Sequence, residues 1–448
     1  MTVAAMVLGL VTVLLFGGYV KDLTYGLQTD FVQLSGHLQV QHKDYFRMGS
    51  GDPATFGVAQ QDSILKAIRE DSELGPMVAV ATPILQFGGL AGNAQAGVSR
   101  TVFVTGILVE DQQRMRQWNE HGFPTLAAHI SLAGTPQDTA VIGTGVARVL
   151  MLCKALGVSD CGDAPAGNAA SAEAGGAALP SDIADLVPAT APAADAEGGR
   201  PRVDLLVASA RGAPNVASVS ILAAEFQGIK EFDDVHVAMH LAQAQRLVFG
   251  ADAPKVTAIA VQLQRTSQLE AARSRLEALL RTRFETQPLA VLDYETLNPF
   301  YGQALAMFGA IFGFISALIG AIVLFTVTNT MTTSVVERTA EIGTLRAIGV
   351  RRGDIRRIFV AEGLLLGVVS AVVGILLALG LATAINASGM TWTPPGRVEP
   401  LPLALRVAGE WGMMLLAAVG VVVLGALSAL VPAARASRLN IVEALRHV

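Results

Sequence analysis

NTMTTSVVERTAEIGTLRAIGVRRGDIRRIFVAE, residues 329–362, decides how this chain of 448 residues is built. It carries six arginines (Arg338, Arg346, Arg351, Arg352, Arg356 and Arg357) and stands between two uncharged runs, Ala304–Thr328 and Gly363–Met390. Those runs hold 25 and 28 residues. A bilayer core about 30 Å thick is crossed by about 20 apolar residues in helix, so each run is long enough to span. Short loops rich in arginine stay in the cytoplasm. The quoted segment therefore reads as a cytoplasmic hairpin between two membrane helices.

Working outward, Trp411–Val431 and Met1–Val20 are also uncharged, over 21 and 20 residues. No Lys or Arg precedes the first run and no A-x-A site follows it, so it reads as a retained anchor, not a secretory signal. It starts almost at Met1, which leaves a short cytoplasmic lead missing from the chain as an expectation. The spans are placed at 1–20, 304–334, 358–390 and 411–431. The tail 432–448 carries Arg435, Arg438 and Arg446, whereas in loop 391–410 Arg397 and Arg406 are balanced by Glu399 and Glu410. The region 335–357 and the tail are thus assigned to the cytoplasm, and 391–410 and 21–303 to the outside. The expected fold class is a membrane protein with four transmembrane α-helices, one plus three, and a large α+β extracytoplasmic domain between helices 1 and 2.

Composition agrees. Hydrophobic residues make up 52% of the chain, charged residues 15%, and mean hydropathy is +0.49. A soluble chain has about 25% charged residues, and disorder needs low hydrophobicity, so both classes are excluded for the whole chain. Residues 300–448 hold 11 Arg, no Lys and 7 acidic residues, whereas residues 21–299 hold 21 basic and 30 acidic ones. An acidic middle is a poor nucleic-acid binder, since that affinity rests on neutralising phosphates. Two cysteines exclude a disulfide scaffold or zinc cluster.

Within 21–303, Lys21–Ser35 reads as a helical stalk and Gly36–Gln41 alternates like a strand. Asp62–Asp71 reads as a helix with Ile64, Leu65 and Ile68 on one face. Thr101–Leu108, Val203–Ser209, Val216–Phe226 and Val256–Leu263 read as strands from their β-branched and aromatic content. Ser267–Arg283 is an amphipathic helix with Leu269, Leu276, Leu279 and Leu280 on its apolar face. Residues 163–199 are almost wholly Ala, Gly, Pro, Asp, Ser and Glu, without Lys, Arg or an aromatic residue. Such a stretch buries too little apolar surface to offset its ordering entropy, so it reads as a flexible insert.

In the hairpin, Val335, Ile342, Leu345 and Ile348 interleave with Glu337, Arg338, Glu341 and Arg346. A short amphipathic helix at a membrane face lies in the lipid interface or fits a groove on a partner. Glu337 and Glu341, one turn apart, disfavour anionic lipid. Gly343 and Gly349 each cost about 1 kcal/mol inside a helix, so they mark a close approach or a turn.

These residues resemble a family. ERTAEIGTLRAIG (337–349), GDIRRIF (353–359) and AEG opening a long span resemble the FtsX-like, MacB-type permease domain of ABC transporters. So does the ending PAARASRLNIVEALR (432–446). The resemblance covers about 300–448. GHLQVQHKDY (36–45) and FQGIKEFDDVHVAMHLAQAQRL (226–247) look like the extracytoplasmic domain of lipoprotein-releasing, Lol-type permeases; the insert 163–199 departs from that pattern. The resemblance implies a permease subunit in the bacterial inner membrane, moved by a separate ABC ATPase dimer and paired with a second permease copy or a paralogue. Val335–Ile348 would be the coupling helix, with Ile342 facing the ATPase groove. The stalks Lys21–Ser35 and Leu289–Phe300 would carry the motion outward. The cargo would be a lipoprotein drawn from the outer leaflet, with a periplasmic carrier as a further partner. The chain has no G-x-x-x-x-G-K-[ST] motif and no Gly-Lys pair, so no cofactor is expected in it; ATP and Mg would be bound by the ATPase.

Gly309 and Gly313 in the second span, and Gly363 and Gly367 in the third, are small-x-x-x-small pairs suited to close helix packing, although glycine is common in membrane helices anyway. Glu362 pairs with Arg357 or Arg346, or faces water. His236 and His240 have the spacing of a metal pair, with Asp233 and Asp234 nearby. Zinc needs three or four ligands, so they read as ordinary surface or hydrogen-bonded residues. Cys153 and Cys161 lie in the segment placed outside the cytoplasm, where a disulfide is permitted; two free thiols are the alternative. No nucleophile, metalloprotease or paired-carboxylate constellation stands out. Two readings stay open beside lipoprotein release: a MacB- or FtsX-like efflux or signalling permease acting on a periplasmic partner, and a membrane-anchored sensor or binding protein without an ATPase.

Overall fold

The computed structural model describes residues 2–49, 52–123, 130–158, 200–227, 230–393 and 400–438, without the side chains of residues 300 and 401. The insert 163–199, Cys161 and the end of the tail lie outside the described residues. The chain divides into two units: Met1–Gln28 with Asn298–Pro394 and Pro400–Val448, and Thr29–Leu297 with Pro395–Glu399.

Helix α1, Thr2–Ser35, brings the chain into the second unit. Gly36 follows at φ +77° and donates its N–H to Val32 O at 3.0 Å, an αL cap of the helix. The described residues of this unit hold a nine-stranded sheet. Its strands are β1 Leu38–His42, β2 Val78–Asn93, β3 Val98–Ile107, β4 Thr139–Gly143, β5 Arg202–Ala208, β6 Pro214–Glu225, β7 His236–His240, β8 Ala258–Leu263 and β9 Leu289–Asp293. The helices between them are α2 Gln61–Glu70, α3 Val109–Arg116, α4 Thr144–Val149, α5 Leu241–Phe249 and α6 Leu269–Arg283.

β2 organises the unit. Its first half pairs with β8 through Val78–Ile84. Its second half pairs with β3 from Ile84 to Asn93, and with β5 at Leu90–Gly92. Two substructures result. Strands β2, β3, β7, β4, β6 and β5 close into a ring, and β8, β1 and β9 extend an open arm from the first half of β2. Pro83, which has no N–H to donate, lies where β2 is paired with β8 alone. β5 shows the period of two, with Val203, Leu205 and Val207 buried and their neighbours exposed. α2 and α6 contribute Ile64, Leu65, Ile68, Leu276, Leu279 and Leu280 to the same core.

The stalk expected at Leu289–Phe300 is not one helix. LAVLD is strand β9, in register with β1 from Leu289↔His42 to Asp293↔Leu38. A long helix begins only after Asn298, where proline suits a first turn.

In the first unit, α1 is joined by α7 Pro299–Glu337, α8 Thr339–Ala347, α9 Arg352–Ala387 and α10 Trp411–Ser437. α1, α7, α9 and α10 are long and apolar enough to cross a membrane. All four contribute to one apolar cluster, with Leu10, Leu14, Val327, Ala378 and Val421 among its buried members. α10 runs on through Pro432, whose missing N–H leaves Ser428 O without its partner within the helix. Thr328 on α7 supplies the donor, Oγ1 to Ser428 O at 3.2 Å. A carbonyl freed inside a membrane helix needs such a neighbour. Thr328→Val keeps the shape and removes the donor. It is expected to cost about 1 kcal/mol, read as a lower denaturation midpoint in detergent.

Candidate functional site

The hairpin that the sequence singles out is built from α8 and the adjoining ends of α7, α9 and α10. α7 continues to Glu337, and the helix breaks at Arg338, whose φ and ψ are −97° and 17°. The expected helix Val335–Ile348 is therefore two pieces, the last turn of α7 and then α8. Gly349 at φ +102° ends α8. Gly349 N–H donates to Arg346 O at 3.2 Å and Val350 N–H to Leu345 O at 3.1 Å, the two bonds of a Schellman cap. The turn needs glycine because other residues are strained at that φ.

Three attachments hold α8. Ile342 is 4% exposed and packs in a small core with Val335, Ile355, Phe359, Ala433 and Ala436. Arg346 donates from Nη1 to Ser437 O at 2.7 Å, satisfying a carbonyl in the last turn of α10. Arg338 sits 3.7 Å from Glu362, joining the α7–α8 break to α9. Gly343 is buried beside Ile342. This geometry corrects two expectations. Ile342 faces the chain's own core and not a partner's groove. Glu362 pairs with Arg338, and Arg357 pairs instead with Asp354 at 3.6 Å.

The open side carries Glu337, Glu341 and Thr344 together with apolar side chains: Ile348 is 79% exposed, Val336 67% and Leu345 38%. Isolated apolar residues on a surface are ordinary. Here three of them share the end of two membrane helices with exposed arginines, Arg338, Arg351, Arg352, Arg356 and Arg357. A rigid helix with an apolar face and a charged rim suits docking on a protein groove.

Gly363 and Gly425 face each other across α9 and α10: a Cβ on Gly363 would lie 2.5 Å from Gly425 O, and one on Gly425 would lie 2.6 Å from Gly363 O. A Cβ on Gly367 would come within 2.8 Å of Val422 Cα. Gly309 and Gly313 have nothing within 4 Å of their Cβ positions among the described residues.

Residues 310–441 match the family model of the FtsX-like permease C-terminal domain. This stretch is an FtsX-like permease domain. The macrolide export ATP-binding/permease protein MacB of Bordetella avium is 28% identical over 213 residues, 48% of this chain and 30% of that protein. The ABC transporter permease YtrF of Bacillus subtilis is 32% identical over 131 residues, 27% of this chain and 28% of that one. The chain spans less than a third of the length of these relatives. The crystal structure of the periplasmic region of MacB from Actinobacillus actinomycetemcomitans aligns over 60% of this chain and 94% of that one. Its TM-score is 0.32 and its identity 8%, too slight to bear on function.

The permease domain thus contains the whole hairpin, with Glu337, Arg338, Glu341, Ile342, Gly343, Leu345, Arg346 and Gly349. Sequence reasoning missed Glu362 as the partner of Arg338, and missed Phe359 and Ala433 as the cover of Ile342. The signal present was the apolar spacing of Ile355 and Phe359.

In the sheet unit, His236 and His240 are the first and last residues of β7, not a helical pair. His236 is buried against the Phe232 ring at 4.7 Å, and His240 Nε2 lies 3.1 Å from Thr135 Oγ1. Asp233 accepts hydrogen bonds from the Thr144 and Gly145 N–H groups at 2.9 and 2.8 Å, capping α4 from another segment. No group of three or more metal-ligating side chains occurs among the described residues. Cys153 opens the short helix Cys153–Leu156, and the described residues include no free cysteine.

Proposed function

We propose that this chain is the permease subunit of an ABC transporter, seated in the bacterial inner membrane with its sheet unit in the periplasm. A separate ATPase dimer grips α8, and its ATP-driven motion reaches the sheet unit through the membrane helices. The observation that carries this reading is the build of α8. It is fixed to α9 and α10 by Ile342, Arg346 and the Arg338–Glu362 pair, yet leaves Ile348, Leu345 and Val336 uncovered. A force applied to that face moves two spans at once. Gly309 and Gly313, which have nothing within 4 Å of their Cβ positions among the described residues, suit contact with a second permease copy or a paralogue.

For cargo, the match of GHLQVQHKDY with Lol-type permeases favours release of lipoproteins from the outer leaflet, with a periplasmic carrier receiving them. The names of the MacB relatives favour the second reading, an efflux permease working with a periplasmic partner.

The two faces of α8 separate docking from folding. Ile348→Asp is expected to abolish copurification of the ATPase while the denaturation midpoint stays unchanged. Ile342→Asp, which puts a charge into the small core, is expected to lower the midpoint itself. Undiminished ATPase in the Ile348→Asp pulldown would overturn the docking role.

A further inference from the structure

The last carbonyls of α1 have no partners within the helix, and Gly36 N–H caps that of Val32 alone. Glutamine side chains from three different elements reach them. Gln262 on β8 donates from Nε2 to Val32 O at 3.2 Å and to Met115 O at 3.0 Å. Gln112 on α3 donates to Gln33 O at 3.1 Å, and Gln39 on β1 to Ser35 O at 2.9 Å. Gln33 returns a bond to Trp118 O at 2.7 Å. The backbone adds two more ties: His37 N–H donates to Val261 O at 3.0 Å, and Tyr294 N–H to His37 O at 3.1 Å. A Cβ on Gly36 would lie 2.9 Å from Val261 O, so the chain leaves α1 pressed against β8.

We infer that Gln39, Gln112 and Gln262 are positioning residues that lock the last turn of α1 to β1, β8 and α3, so that this helix end and the open arm of the sheet move as one piece. The inference rests on the coupling reading above, for which it names the joint where motion of α1 enters the sheet. Two features favour a joint over ordinary core packing. An amide is a donor that can be buried without desolvating a charge, so three glutamines serve where lysine or arginine would be costly. And Gln262 Oε1 is itself buried without a partner, as is Gln41 Oε1 next to Gln39. An apolar residue at 262 would avoid that unpaired oxygen, but Val32 O and Met115 O would be left with their backbone donors alone, Gly36 N–H at 3.0 Å and Trp118 N–H at 3.1 Å.

Hydrogen–deuterium exchange of the full chain in detergent tests this. In the wild type, residues 32–36 are expected to exchange at the rate of β1 and β8, as one cooperative unit. In Gln262→Leu, residues 32–36 should exchange at least about tenfold faster, with β5 and β6 unchanged. Gln112→Leu, which frees Gln33 O alone, is the milder variant should Gln262→Leu not fold. Faster exchange of residues 32–36 than of β1 in the wild type, or an equal change everywhere in the variants, would overturn the joint. Adding ATP and vanadate to the complex with the copurifying ATPase separates the two ideas. A response of β1 and β8 in the wild type that disappears in Gln262→Leu, with hydrolysis retained, supports the joint. A response that persists in the variant overturns it. No response anywhere in the wild type counts against the coupling reading alone, and the exchange of residues 32–36 still decides the joint.

Discussion

Gly363→Val is expected to separate α9 from α10 and to cost the membrane unit about 3 kcal/mol or more. The backbones touch at this point: the first atom of any side chain on Gly363 would fall 2.5 Å from Gly425 O and 2.9 Å from Ala429 Cβ. Neither is the loose end of a flexible side chain that could turn aside. In lipid no hydrophobic force drives helices together, so packing of this kind is most of what holds the pair, and a forced separation is not recovered elsewhere. The damage should spread toward the hairpin, because Phe359 and Ile355 on α9 meet Ala433 and Ala436 on α10 in the core that seats Ile342. Gly313→Val is the matched control. It adds the same atoms to α7 at a place with nothing within 4 Å among the described residues. In detergent titrations, Gly363→Val should lose its folding midpoint or shift it far down, while Gly313→Val stays at the wild-type value and alters only cross-linking between copies. Equal midpoints for the two variants would show that the α9–α10 approach does not hold the unit together.

What could be read from the sequence follows the range of the interactions involved. Membrane helices satisfy their backbone within one segment, so uncharged runs reveal them, and α1, α7, α9 and α10 each cover all or nearly all of one of the four runs. Their ends are hidden, because α1 goes on fifteen residues past Val20 to Ser35 through Lys21 and Asp22. In the sheet unit, β5 is legible from its β-branched and apolar content. β2, the strand that joins ring and arm, gave no such signal: Pro83, Gly88, Gly89 and Gly92 interrupt its sequence, and most of its first half is buried on both faces. From sequence alone β9 reads as part of a stalk, because its partner, β1, lies far back in the chain. The same limit applied at the hairpin. The spacing of Ile342 marked it as apolar-facing, but the residues that cover it come from α9 and α10, so the sequence could not say whether the chain or a partner would cover that face. The glutamine joint was out of reach altogether, since an isolated glutamine carries no periodic signal.

Acidification from pH 6.5 to 4 is expected to destabilise the sheet unit by about 3 kcal/mol for each of two buried histidines, His37 and His236. Burial holds His37 down to about 4, partly opposed by the charge of Glu120. Its bonding shows why the proton is unwelcome. Nδ1 accepts the Leu263 N–H at 3.0 Å, so the neutral ring carries its hydrogen on Nε2 and donates to Thr266 Oγ1 at 3.2 Å. A second proton on Nδ1 would point at another N–H. Trp118 and Tyr294 stand edge-on to the ring, and Thr266 passes a hydrogen bond on to Glu120 at 2.7 Å. His236 is also held to about 4, first by burial and then by the charge of Arg116, which has Glu225 3.8 Å away. The sign follows from proton counting. Between pH 4 and 6.5 the unfolded chain binds more protons than the folded one, so stability rises with pH across that window. It is fully present above 6.5 and lost as pH falls toward 4. Asp71, held at about 2 by Arg275, gives up its stabilisation mainly below pH 4 and adds little to the change across the window. Trp118 touches His37, so urea titrations of the full chain in detergent, followed by tryptophan fluorescence, report on the right region. The wild-type midpoint should fall steadily from pH 6.5 to 4.5. His37→Gln should remove a large part of that slope and adding His236→Asn most of the rest, leaving the smaller share of His240, which burial also lowers. A wild-type midpoint that stays level across the window would mean that both rings are solvated, and the packing described around β1 and β7 would then be wrong.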